Sequence, residues 1–163
     1  MIVALIAALT IQVQTPPQDP PKQVWRSFTS ANRRMSVEFP GAFTLNLLKE
    51  SRAQIATYAG TTCALGTAFS DLPPGTRNLR EVADLYESKV RTLRLKVLSE
   101  ELGSWRDYST IELQMSGEVG TSKHLRTRLL IADDQLVQQY ACWFSSDYDA
   151  TLVERFFNSL VIK

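Results

Sequence analysis

The sequence predicts an α+β sandwich, a mostly antiparallel sheet with two main helices packed on it. Three observations lead there. Short segments in which apolar and polar residues alternate recur through much of the chain, and two longer segments show the three- and four-residue apolar spacing of helices. The order is several strands, a helix, several strands, a helix.

The first residues, MIVALIAALTIQV, are a continuous apolar run, followed by a spacer with four prolines in six residues. As a helix the run would be about 20 Å long at ~1.5 Å per residue, short of a ~30 Å hydrocarbon core, so no stable membrane span is expected. It fits the apolar region of a secretory signal, although no Lys or Arg precedes it and the small-residue cleavage site at Ala8-Leu9-Thr10 is weak. The alternative is a first strand or buried helix of the domain. The chain thus divides into a signal segment at 1–14, a proline-rich spacer at 15–23 and a single domain at 24–163.

In MSVEFP, Met35, Val37 and Phe39 alternate with Ser36 and Glu38, a strand with one dry face that Pro40-Gly41 ends. SRAQIATYAG and TTCALGTAF are two further strands, and SDLPPGT breaks the pattern. The clearest helix follows. Leu79, Val82, Ala83, Tyr86, Val90 and Leu93 form one stripe, Asn78 and Glu81 have the spacing of a reciprocal N-cap, and Glu87 and Arg91 sit four apart on the wet face.

KVLSEELG and SWRDYSTIELQMSG read as strands, the WRDY segment opening the second, with Ile111, Leu113 and Met115 on its dry face. SKHLRTRLLIADDQLVQQYACWF reads as a hairpin with Asp133-Asp134 at its tip. On its first arm Leu125, Thr127, Leu129 and Ile131 share one face, and His124, Arg126 and Arg128 the other. A second helix has Ser146 and Asp149 at capping-box spacing and a stripe of Leu152, Val153, Phe156, Phe157 and Leu160. Val161 and Ile162 are expected to leave it and lie against a strand edge.

The order of these motifs resembles that of the exported PsbP-like and DcrB-like domains: an opening Trp with a polar strand, FPG, a strand ending in SDLPPG before a long helix, a hairpin of the RLLIADDQLVQQYA kind and a closing RFFNSL. Those domains share a fold with the yeast Mog-type Ran-binding protein. The resemblance covers roughly Val24 to Lys163. It implies an α/β/α sandwich built on a central antiparallel sheet and an accessory or binding role, usually without catalysis. Family members serve unrelated partners, among them photosystem II, a small GTPase and envelope processes, and no functional residue transfers.

Composition narrows the function classes. With 18 Lys and Arg against 17 Asp and Glu, the net charge of +1 supplies no field for nucleic acid or an anionic membrane. The single histidine, His124, leaves little for metal-site or acid–base schemes, so no metal, cofactor or catalytic residue is assigned. Neither G-x-G-x-x-G nor G-x-x-x-x-G-K-[ST] occurs. In an oxidising compartment Cys63 and Cys142 would be expected to join. Closing their loop of about 80 residues would stabilise by roughly 4–5 kcal/mol. The alternative reading is two small buried hydrophobes in strands.

Trp105, Arg106, His124, Arg126 and Arg128 are the candidate partner surface, provided that Arg106 lies near the hairpin arginines. The competing assignment makes the tryptophans core residues and the arginines a wet sheet face. The functional expectation is an exported, non-enzymatic accessory or binding domain, secreted or periplasmic, whose partner is a protein or small ligand of the envelope. A hydrolase-like enzyme using His124 and a cytosolic regulatory binding protein are the alternatives.

Overall fold

The computed structural model describes residues 23–49, 52–72, 74–76, 78–92, 94–119, 122–143 and 148–163. The signal segment expected at 1–14 and nearly all of the spacer lie outside them, as does Ser146. The strands are β1 (Arg26–Thr29), β2 (Met35–Phe39), β3 (Thr44–Leu48), β4 (Ala53–Ala59), β5 (Cys63–Asp71), β6 (Lys96–Trp105), β7 (Tyr108–Val119), β8 (Ser122–Ala132), β9 (Gln135–Trp143) and β10 (Val161–Ile162). Helix α1 spans Leu79–Thr92 and α2 spans Ala150–Asn158.

Seven strands form one sheet in the order β3-β4-β5-β9-β8-β7-β6, and every neighbouring pair is antiparallel. A second sheet has the order β1-β2-β10, so the C-terminal pair Val161 and Ile162 zips onto Ser36 and Met35. The apolar tail is therefore core and sheet edge.

Alternation along the central strands sorts most of the interior into two large clusters, with a small third one of Ala53, Ile55 and Ala68. Leu125, Leu129, Leu136, Tyr140 and Cys142 pack with Val82, Ala83, Tyr86 and Val90 of α1. The intervening Leu130, Ala132, Val137 and Ala141 pack with Val153, Phe156 and Phe157 of α2 and with Phe28, Val37 and Phe39 of the small sheet. Both helices use the predicted stripes, except that Leu93 lies outside the described residues. The backbone N–H of Glu81 donates to Asn78 Oδ1 at 3.0 Å, and the Asn78 amide returns a bond to Glu81 Oε1 at 3.1 Å. Helix α2 is capped by Asp149, whose Oδ1 accepts from the Leu152 N–H at 2.9 Å, in place of the expected Ser146.

Two further expectations change. WRDY is a hairpin turn, with Trp105 closing β6, Tyr108 opening β7 and Arg106 held at φ 52°, a conformation that usually goes to glycine or asparagine. The Cys63–Cys142 bond is not formed, and both residues are free and buried. Their strands are antiparallel neighbours as expected, but the register sets Cys63 opposite Trp143 and Cys142 opposite Ala64. The one-residue offset turns the two thiols to opposite faces of the sheet, Cys63 toward the α2 cluster and Cys142 toward the α1 cluster. Burial raises both thiols, Cys63 to about 11 and Cys142 to about 12. An alkylating reagent should accordingly label neither in the folded protein and both after denaturation without reductant. Labelling that requires prior reduction would refute this geometry.

Candidate functional site: the arginine pair beneath helix α2

The face of the central sheet toward α2 carries an unusual set of charges. In register, Arg128 of β8 lies opposite Glu112 of β7, and Arg126 lies opposite Gln114. The Glu112 carboxylate is shared between the two arginines. Its Oε2 accepts from Arg126 Nε at 3.0 Å and Nη2 at 2.8 Å, and its Oε1 accepts from Arg128 Nε at 2.7 Å. Arg126 Nη1 also reaches Glu154 of α2. Arg128 Nη1 donates to the Phe157 carbonyl at 3.0 Å, and Gln139 Nε2 donates to the Phe156 carbonyl at 3.2 Å.

This arrangement satisfies two needs at once. The last carbonyls of a helix have no partner within it and carry partial negative charge, so a buried guanidinium beneath them is favourable. The Phe157 ring lies 4.5 Å from Arg126 Cζ and 5.1 Å from Arg128 Cζ, within range of a cation–π contact with each. Arg128 is only 7% exposed, so the hairpin arginines form a cradle under a helix rather than a wet face.

Burial alone would raise the Glu112 carboxyl, but the hydrogen bonds and charges of Arg126 and Arg128 outweigh it and hold it below its ordinary range. Such a carboxylate stays ionised at neutral pH and is poorly suited to accept or donate a proton. The raised thiols are correspondingly weak nucleophiles. Among the described residues no group of three or more His, Cys, Asp or Glu is placed to hold a metal ion. No described helix is long and apolar enough to cross a membrane.

His124 stands one step along the same face, exposed and stacked on Trp143 with ring centroids 5.5 Å apart, and Trp143 in turn meets Tyr148 at 4.4 Å. Trp105 and Arg106 are elsewhere. The β6–β7 turn lies at the end of the sheet shared with Asp133, whereas His124 pairs with Ser116 at the far end of β7, roughly 25 Å away at ~3.3 Å per residue. Trp105 packs on the α2-side core and the Arg106 guanidinium covers its ring at 4.5 Å. The five candidate residues therefore divide into two groups, and His124, Arg126 and Arg128 stay together. Glu112, Glu154, Tyr148 and Phe157 complete the second group. The polar run Thr110, Glu112, Gln114 beside His124, Arg126, Arg128 was the available signal, but it acquires meaning only with the β7–β8 register.

No protein-family model matches the sequence, and no curated protein matches it. Among solved structures the chain is similar to cyanobacterial PsbP (CyanoP) from Synechocystis sp. PCC 6803, with a TM-score of 0.64 at 9% identity over 93% of this chain and 99% of that one. It is also similar to a protein of unknown function from Pseudomonas aeruginosa, with a TM-score of 0.50 at 13% identity over 76% of this chain and 99% of that one. At these identities the likeness is one of fold, and the fold of this chain is PsbP-like.

Proposed function

We propose that the chain is a non-enzymatic accessory or binding domain, exported by the segment at 1–14, with residues 24–163 forming one three-layer α/β/α unit that engages a protein or small ligand of the cell envelope. The observation that carries this reading is the PsbP-like fold, shared over nearly the whole chain. The chemistry of the α2 face supports it. Arg126, Arg128 and Glu112 spend their charges on one another and on the helix, and the His124 ring lies stacked on Trp143.

The partner is expected to meet the exposed margin of this face, where His124, Trp143 and Tyr148 present aromatic surface of the kind that anchors interfaces. The test is cross-linking and affinity capture from the native envelope, with an unrelated exported protein as control. Intact mass of the captured chain reports whether 1–14 has been removed. A specific partner lost with Trp143→Ala and retained with Arg106→Ala is the expected result; recovery no different from the control would reject the reading. An activity abolished by His124→Ala at unchanged thermal stability would install the hydrolase alternative instead. A full-length mass from the cytosol would install the regulatory one.

A further inference from the structure

Beyond this envelope partner, we propose that β6 is a self-pairing edge through which two copies of this chain join their central sheets. Among the described residues, strands β3 and β6 form the two free edges of the seven-stranded sheet, and β6, with ten residues, is the longer. An open edge offers a row of unpaired backbone N–H and C=O groups to any strand that fits it. Along β6, Leu98 is 56% exposed and Leu102 77% exposed, more than any other large apolar side chain among the described residues except Val24 and Leu47 in the case of Leu98.

The charges on this edge select the partner. Lys96 and Glu101 have no ion-pair partner among the described residues. Glu101 lies opposite Glu112, a like charge whose own oxygens are taken by Arg126 and Arg128. Like charges directly opposite each other destabilise a strand pair, so Glu101 favours a cation on its open side.

In a regular strand, residues five positions apart point to opposite faces. Here the bulge between Val97 and Ser99 adds one residue, and Lys96 falls opposite Ser116 while Glu101 falls opposite Glu112. Ser116 and Glu112 share a face of β7, so Lys96 and Glu101 share the corresponding face of β6.

A strand with an unpaired cation and an unpaired anion on one face is complementary to itself when turned antiparallel. A two-fold axis between Leu98 and Ser99 sets Lys96 opposite Glu101 of the second copy and repeats that pair on the other side. The same register brings the two exposed Leu98 side chains together at the axis. The other free edge, TLNLL of β3, has no charged residue and lacks this self-complementarity.

The experiment is sedimentation equilibrium of the chain as purified from its host, over a wide range of concentration. A monomer–dimer equilibrium is expected. Lys96→Glu should raise its dissociation constant by about tenfold or more, because two attractive contacts become repulsive. The double variant Lys96→Glu, Glu101→Lys should restore the dimer. Leu98→Lys should weaken it independently. The three residues are solvent-exposed edge positions, so an unchanged thermal midpoint confirms that each variant folds. A monomer at every concentration, or a dimer indifferent to Lys96→Glu and Leu98→Lys, would overturn the proposal whether or not an envelope partner is found.

Discussion

Phe157→Ala is expected to lower the stability of the protein by about 3–5 kcal/mol, the range for truncating a fully buried aromatic ring. The side chain has no exposed surface, and its ring meets Phe156 edge-on at 5.5 Å while two guanidiniums lie over it. Truncation removes apolar burial, leaves a cavity between α2 and β8, and strips both arginines of their cation–π contact. Phe157→Leu would keep much of the volume and lose the π face, so the difference between the two variants separates packing from cation binding. Urea unfolding followed by tryptophan fluorescence measures both. A cost below about 1 kcal/mol for the alanine variant would mean that the ring is not packed in this way.

Glu112→Gln should be comparably damaging, by about 3–5 kcal/mol, because it leaves the buried Arg128 without a carboxylate partner and Arg126 with Glu154 alone. Adding Arg128→Met should recover part of the loss, since a buried charge without its counter-ion costs more than an apolar replacement of similar size. The pH dependence follows from the direction of the shift. The folded carboxyl titrates below its unfolded value of about 4.3, so its contribution is complete above that pH and is lost as pH falls through the folded value. The stability gap between the wild type and Glu112→Gln should therefore be widest near neutrality and narrow below about pH 4. A gap that is constant with pH would show that the two arginines do not depend on the ionised form.

Local pattern made the helices and the Asp133-Asp134 hairpin legible, because each depends on residues within a turn or two of one another; the apolar pair Val161 and Ile162 announced a strand edge without naming β2 as its partner. Most of what failed depends on register between distant strands. Cys63 and Cys142 belong to adjacent strands, yet whether their thiols meet turns on a single-residue offset that neither segment encodes alone. The arginines of β8 look solvated until Glu112 is placed opposite one of them and α2 is laid above both. WRDY offers no glycine or asparagine to mark a turn, and Arg106 takes the left-handed conformation nonetheless. The candidate site was half visible for the same reason: its cations are consecutive alternate residues, whereas its anions and its ring come from two other elements.

The pairing of β10 with β2 has a kinetic consequence. Ile162 is in register with Met35 across 162 − 35 = 127 positions, so the small sheet can be completed only after almost all of the domain has become available for folding. Contacts so distant in sequence are slow to form, because the loop entropy must be lost before the contact contributes. The α1 side of the sheet can organise around the nearer β6–β7 and β8–β9 hairpins, while Met35, Val37 and Phe39 wait for Phe156, Phe157 and Leu160. During that interval the apolar underside of β5, β8 and β9 is the surface on which a holding chaperone would find its grip.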